Sequence, residues 1–409
     1  MISGETEVIQ KRTIKVLASV QVLSGVGVAG TVAAGSLLVA SITNSETLAG
    51  LAQTFAVLGA AAMALPLSRL TQRGGRRLGL SVGYVVGIIG AFSAIIGGSQ
   101  KILFFMLAGT FMVGAASAAG YQARFAATDL ATVHTRSRHL SFVVWGSTVG
   151  AVTGPNLMGP SGKFAESIGL PRLVGPYCLA LITLSLATIV IQLFLRPDPY
   201  LRAIHVQDAS GVKSKLLPAR QVLGIINKNA QAKFAIASIA IGHVVMISVM
   251  VMTPVHMAHV DVTLTVIGLV ISIHIAGMYA LSPIVGLISD KFGRKSTIRL
   301  GVLILLVSTL VAGTARADDA VRLGIGLFLL GLGWSCTLIA GSTLLSESVE
   351  SELRPSSQGA SDLLMNLMGA GGGALAGIII GTLGYGWLCL ISAIPVAALG
   401  TWSFSKKLN

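Results

Sequence analysis

Charge is scarce in this sequence. Of its 409 residues only 11% are Asp, Glu, Lys or Arg, against about 25% in a typical soluble domain. That deficit excludes a soluble globular chain. Carboxylates are the rarer sign: 15 Asp and Glu stand against 29 Lys and Arg, giving a formal charge of +14. The cations sit in short segments between apolar runs, so they report membrane topology, and nucleic acid is excluded as a partner. Cysteine is nearly absent. Cys178, Cys336 and Cys389 lie far apart, each in an apolar run, which rules out a disulfide framework or a zinc motif. Aromatic residues make up 6%, and few fall in the middle of an apolar run, which argues against an aromatic-lined cavity. Met1–Ile14 is polar, with no small-residue cleavage site after a short apolar run, so no cleaved signal peptide is expected.

What the chain does have is apolar length. It is 53% hydrophobic with 49 glycines, a composition that suits close helix packing in lipid. Runs long enough to span a bilayer recur twelve times, at 15–42, 47–68, 78–98, 102–127, 138–160, 173–195, 232–256, 263–288, 298–316, 322–345, 357–380 and 384–404. The one long polar interruption, 196–231, contains Pro197, Pro199 and Pro218 and several Lys and Arg. The expected fold class is therefore an all-α membrane protein: a six-helix bundle over 1–195, a cytoplasmic linker over 196–231 and a second six-helix bundle over 232–409. Alternate loops hold the basic residues, among them Arg69, Arg73, Arg76, Arg77, Lys291, Arg294 and Lys295. The positive-inside rule makes that side cytoplasmic, with both termini on it.

The halves read as a repeat. Gly75-Arg76-Arg77 follows the second span, and Gly293-Arg294-Lys295 follows the eighth, 218 residues on. The second copy in full runs Gly286-Leu-Ile-Ser-Asp290-Lys291-Phe-Gly293-Arg294-Lys295. It resembles the loop signature of the major facilitator superfamily, G-x-x-x-D-[RK]-x-G-R-[RK]. That resemblance implies the major facilitator fold and makes Gly286, Asp290, Gly293 and Arg294 a gating loop. The first copy departs, with Ser68 for the first glycine and Gln72 for the aspartate, so its charge network is expected to be weaker. Gly150-Ala-Val-Thr-Gly154-Pro155-Asn-Leu-Met-Gly159 is similar to a second motif of the superfamily. Its chemistry is small residues for helix contact and a proline kink, which favours packing over any statement about export. Arg124 and Asp129, at the inner end of the fourth span, are candidates for a coupling pair or for a structural salt bridge.

Polar residues at membrane depth are costly and therefore functional candidates. The carboxylates Asp129, Asp290 and Asp362 fall near the cytoplasmic ends of spans, and Asp261 falls in an outer loop. What remains at depth is histidine and methionine. Met246 and Met250 share one helical face, as do His274 and Met278. The turn between these spans centres near Val260, so Met246 and His274 share a depth near the midplane, with Met250 one turn further out and Met278 one turn further in. Thioether sulfur is soft and imidazole borderline, a set that suits Cu(I). The alternatives are methionine as packing filler and histidine bonded to a helix carbonyl or relaying protons. His243 is a further coupling candidate, and His256, Met257, His259 and Asp261 could recruit a cation at the outer mouth.

The pairs Met246-x-x-x-Met250 and His274-x-x-x-Met278 resemble the M-x-x-x-M and H-x-x-x-M motifs of the CcoA-like copper importers (CalT family). The resemblance implies a bacterial inner-membrane importer of copper, as Cu(I), working by alternating access and supplying cbb3-type cytochrome c oxidase. Met246, Met250, His274 and Met278 would be the metal-binding residues. Copper would be cargo, with no prosthetic group. The partners would be the copper ion, membrane lipid and a cytoplasmic copper chaperone, and the chain would act as a monomer. The alternatives are a proton-coupled exporter of small hydrophobic compounds and an importer of a metabolite such as riboflavin. None of these is an enzyme.

Overall fold

A computed structural model describes residues 4–45, 48, 50–208, 224, 226–258 and 264–405. Its elements are helices, and among the described residues there is no strand. They run α1 Gly4–Thr43, α2 Leu51–Gln100, α3 Leu103–Ala126, α4 Arg136–Asn156, α5 Met158–Ser167, α6 Gly175–Phe194, α7 Pro199–Asp208, α8 Ala230–Ala258, α9 Leu264–Tyr279, α10 Ser282–Phe292, α11 Arg294–Gly313, α12 Ala320–Ser348, α13 Arg354–Leu383 and α14 Tyr385–Trp402. Among the described residues, ten helical segments are long and apolar enough to cross a membrane. In lipid the helix satisfies every backbone hydrogen bond internally, which is why apolar length reads out as helix.

Breaks fall where the backbone chemistry demands them. α2 contains two of the sequence spans and is interrupted at Gly75, whose φ of 86° and ψ of 175° are non-helical. A residue with a side chain rarely adopts that φ. The eighth span is two helices, α9 and α10, and Pro283 lies in the first turn of the second, where a missing N–H costs nothing. The fifth span likewise ends as α4 at Asn156 and resumes as α5 at Met158.

The chain divides into two compact units. The first contains Met1–Ala131, Gly146–Leu217 and Ser351–Leu363. The second contains Thr132–Trp145, Pro218–Glu350 and Leu364–Asn409. These units differ from the sequence halves 1–195 and 232–409, because the start of α4 packs on α10 and α12, and the start of α13 packs on α2 and α3.

In the first unit small residues let backbones meet. A methyl at Gly59 would lie 1.8 Å from the Phe111 carbonyl, and one at Gly114 would lie 2.1 Å from that of Ala56, so α2 and α3 touch along their main chains. Gly150 and Gly154 of α4 meet Gly25 and Gly30 of α1 in the same way. The glycine-proline motif is thus a helix-packing device. A core of Ala34, Leu38, Val39, Ala91, Met106 and Tyr177 fills the space beside them.

The second unit is built around α12, on which α8, α9 and α11 all pack. Gly277 of α9 meets the Phe328 carbonyl, and Gly331 of α12 meets the backbone at His274 and Met278. The hydroxyls of Thr337, Thr343 and Ser346 bond carbonyls of their own helix, so this buried helix carries polar groups at little cost. Large apolar side chains such as Phe104, Leu310, Ile378 and Leu390 are exposed, a surface that suits lipid and not water.

Candidate functional site

Two regions gather the polar groups: the interior of the second unit, and the loop signatures with the helix ends they touch.

In the interior, α8 is set at its start by Asn229, whose Oδ1 accepts the Ala232 N–H at 3.0 Å while its Nδ2 donates to the Ser348 carbonyl at 2.7 Å. This N-cap fixes α8 against the end of α12. One face of α8 then carries His243, Met246 and Met250. Met246 and His243 are buried, and Met250 is half-buried. On α9, His274 is fully buried and Met278 is 7% exposed. α8 and α9 both lean on α12 and barely touch each other. The two ligand pairs are thus organised through α12. The depth arithmetic gave a shared level for Met246 and His274; the contact between α8 and α9 is minor.

The row Leu327, Gly331 and Trp334 on α12 meets His274, Met278 and His243. His274 Nδ1 lies 2.8 Å from the Leu327 carbonyl oxygen. A carbonyl only accepts, so Nδ1 carries the proton and the lone pair is on Nε2. That Nε2 is buried with no hydrogen-bond partner among the described residues. His243 has the opposite tautomer. The Trp334 indole N–H donates to its Nδ1 at 3.2 Å, which leaves the His243 proton on Nε2, packed against Gly369. Tyr279 meets Trp334 edge to face at 5.6 Å. Trp334, Tyr279 and Gly369 were not among the sequence candidates. The scarcity of aromatics hid Trp334, although it stands in the middle of the tenth span.

Toward the C-terminal end of α8, His256 stacks on Tyr385 with ring centroids 4.4 Å apart, and the Tyr385 hydroxyl shares a 2.7 Å hydrogen bond with Thr253. Met257 is fully buried, so it is part of the packing and not of an open rim. His259 and Asp261 lie outside the described residues.

The second loop copy forms a dense network. Asp290 accepts the N–H groups of Ser137 and Arg138 at 3.0 and 2.9 Å, a carboxylate at a helix N-terminus. Arg294 joins Asp290 at 2.9 Å and Glu347 at 2.9 Å, and donates to the Ser289 and Val133 carbonyls. Gly293, with φ of 91°, ends α10 and starts α11. Gly286 abuts Ser141.

The first copy mirrors this at the repeat spacing. Arg76 corresponds to Arg294 and Asp129 to Glu347, and Arg76 binds Asp129 through Nε at 2.8 Å and Nη2 at 3.1 Å. Arg76 also donates to Gln358 at 2.7 Å. Ser68 faces Gly359 where Gly286 faces Ser141, so the small-residue contact survives with its members exchanged. The departure at Gln72 has a physical reason. The counterpart of Ser137 is Pro355, which has no N–H for a carboxylate to accept. Gln72 donates instead to the Glu352 carbonyl at 3.1 Å. As expected, this copy has the weaker charge network at its helix N-terminus.

Arg124 and Asp129 are not partners. Asp129 belongs to Arg76, and Arg124 binds Asp362 of α13 at 2.5 Å, with side chains 3% and 1% exposed. The sequence spacing suggested a local pair, but their side chains meet different helices. Asp362 lies eight residues into α13, roughly 12 Å along its axis. The carboxylate read as lying near the end of a span is thus held in the protein interior.

An all-helical chain with membrane-length apolar helices, a repeated charged loop and polar groups reserved for its interior is a multi-pass membrane transporter. The chain belongs to the Major Facilitator Superfamily: the model of that family matches residues 17–261 and 234–407. It is 37% identical over 391 residues, 94% of this chain and 88% of the relative, to the uncharacterized MFS-type transporter YddS of Bacillus subtilis. It is 27% identical over 402 residues, 95% of this chain and 94% of the relative, to the riboflavin transporter RfnT of Brucella anthropi. Among solved structures, the E. coli fucose:proton symporter FucP superposes with a TM-score of 0.71 at 15% identity, covering 95% of this chain and 97% of that one. That likeness shows the fold. The chain is a secondary transporter of this superfamily and not an enzyme.

Proposed function

We propose that this transporter imports copper, as Cu(I), across the cytoplasmic membrane by alternating access, with two six-helix bundles and both termini on the cytoplasmic side. The observation that carries the reading is His274. A metal-binding imidazole characteristically donates its other ring N–H to a carbonyl or carboxylate, which orients the ring and raises its basicity. His274 has that arrangement: Nδ1–H on the Leu327 carbonyl, and a buried Nε2 lone pair with no partner among the described residues. Met278 follows one turn on, and Met246 and Met250 supply thioethers on α8. In this reading the neutral set binds Cu(I) loosely enough to release it inward. The role of Gly286, Asp290, Gly293 and Arg294 is to hold the cytoplasmic side closed between cycles. Copper passes to a cytoplasmic chaperone and on to the cbb3-type oxidase.

A second reading has an observation of its own. Buried Trp334 and His243 with half-buried Tyr279 form an aromatic group, which suits a flat heteroaromatic substrate, and a riboflavin transporter is among the relatives. Radiolabelled copper uptake and radiolabelled riboflavin uptake, each in cells carrying wild type, His274→Ala or Met246→Ala, separate the two. Copper import predicts copper uptake that falls in both variants and no riboflavin uptake. Equal copper accumulation in all three strains overturns it.

A further inference from the structure

We infer that Asp198, at the head of the linker helix α7, is a positioning residue for the transport machinery: it fixes the loop that carries Arg76, and through Arg76 the start of α13. The first loop copy lacks the aspartate that the second copy has at Asp290. A carboxylate reaches the first loop from the linker instead. Asp198 Oδ2 accepts the Arg77 N–H at 2.7 Å, and its Oδ1 accepts the N–H groups of Tyr200 and Leu201 at 3.0 and 3.2 Å. One carboxylate thus caps two helix starts, α7 and the part of α2 that resumes after Gly75. Acceptors at these positions satisfy N–H groups that have no partner within their own helix.

The fit is steric as well as electrostatic. A methyl at Gly75 would lie 2.5 Å from the Asp198 carboxylate, so this glycine is required both by its φ of +86° and by the approach of the linker. The next residue is Arg76, 1% exposed and committed to Asp129 and to Gln358 of α13. Tyr200 adds to the same junction. Its ring lies 5.8 Å from the Arg76 guanidinium carbon, and its hydroxyl donates to the Glu352 carbonyl, the acceptor that Gln72 also uses. Linker and loop therefore converge on the segment leading into α13, at the place where the loop's own aspartate is missing.

If Asp198 served only α7, any good N-cap would replace it. Asp198→Asn and Asp198→Ser both retain an acceptor for α7, but neither offers a second acceptor to Arg77. The full chain is placed in inverted membrane vesicles, with Cys178, Cys336 and Cys389 replaced by Ser and with Ser68→Cys as reporter. Ser68 is 1% exposed against Gly359. The rate at which a membrane-impermeant maleimide labels that cysteine reports how often the start of α13 leaves α2. Both Asp198 variants are expected to raise this rate about tenfold, the shift that loss of one hydrogen bond to a charged acceptor corresponds to. Labelling at the parent rate in Asp198→Ser reduces Asp198 to a local helix cap and overturns the proposal, whatever Asp198→Asn does. The readout needs no cargo, so copper transport can fail its own test while this result stands.

Discussion

The buried pair of Arg124 and Asp362 gives the sharpest quantitative expectation. Its two side chains are 3% and 1% exposed, their charged atoms are 2.5 Å apart, and the Phe125 ring lies 4.6 Å from the guanidinium carbon. Neither charge can recover water if its partner is removed. Arg124→Met and Asp362→Leu each break the buried ion pair by removing one member, at an expected cost of about 3–5 kcal/mol. For a unit of this size that is roughly 5–15 °C in the unfolding midpoint. Replacing both together removes the attraction and the two desolvation penalties at once, so the double variant should fall within about 1 kcal/mol of wild type. The assay is thermal unfolding of the four purified proteins in one detergent, followed by intrinsic fluorescence. Non-additivity of several kcal/mol closes the cycle as the structure requires. A double variant that loses the sum of the single losses would refute the argument that burial makes each charge depend on the other.

Three further outcomes follow from the geometry. His274→Ala removes the second hydrogen bond to the Leu327 carbonyl, a loss of about 0.5–1.5 kcal/mol for the bond itself; it should also abolish copper binding measured by equilibrium dialysis. In the wild type, acidification that protonates Nε2 removes its lone pair, so dialysis at falling pH should show weaker copper binding. Gly286→Leu forces a side chain into Ser141 and the Ser137 carbonyl, and should lower the unfolding midpoint by an amount equivalent to about 1–3 kcal/mol. Trp334→Phe leaves the aromatic contact to Tyr279 but removes the donor to His243, a loss of about 0.5–1.5 kcal/mol by the same measurement.

The loop signatures show how far the sequence reaches. Asp290, Gly293 and Arg294 could be found because their pattern is local: a glycine at positive φ and an arginine four residues after a carboxylate. The repeat spacing carries the same reasoning to Arg76. It does not disclose that Gln72 compensates for Pro355, since that compensation involves a helix 280 residues away. Arg124 shows the opposite case. Its nearest acid in sequence is Asp129, yet its partner is 238 residues on, because helix rotation aims the two side chains at different neighbours. Met246 and His274 lie between these cases. Their helices and shared depth were legible, but which faces they turn was not, and the structure has α12 as the element both helices lean on.

The sequence alone determined that the chain lives in a membrane, which stretches are helical, and that the charged loop recurs 218 residues on. These follow from backbone chemistry that acts over a few residues: bilayer thickness sets apolar length, and lipid leaves the helix as the way to satisfy N–H and C=O groups. Only the tertiary structure decided which charges pair, that His274 Nδ1 is the nitrogen held by the Leu327 carbonyl, and that Trp334 and Asp198 stand beside the residues the sequence singled out. Those properties depend on helix rotation and on contacts between distant segments. Hydropathy is averaged over a whole run and carries no record of the face on which a side chain stands.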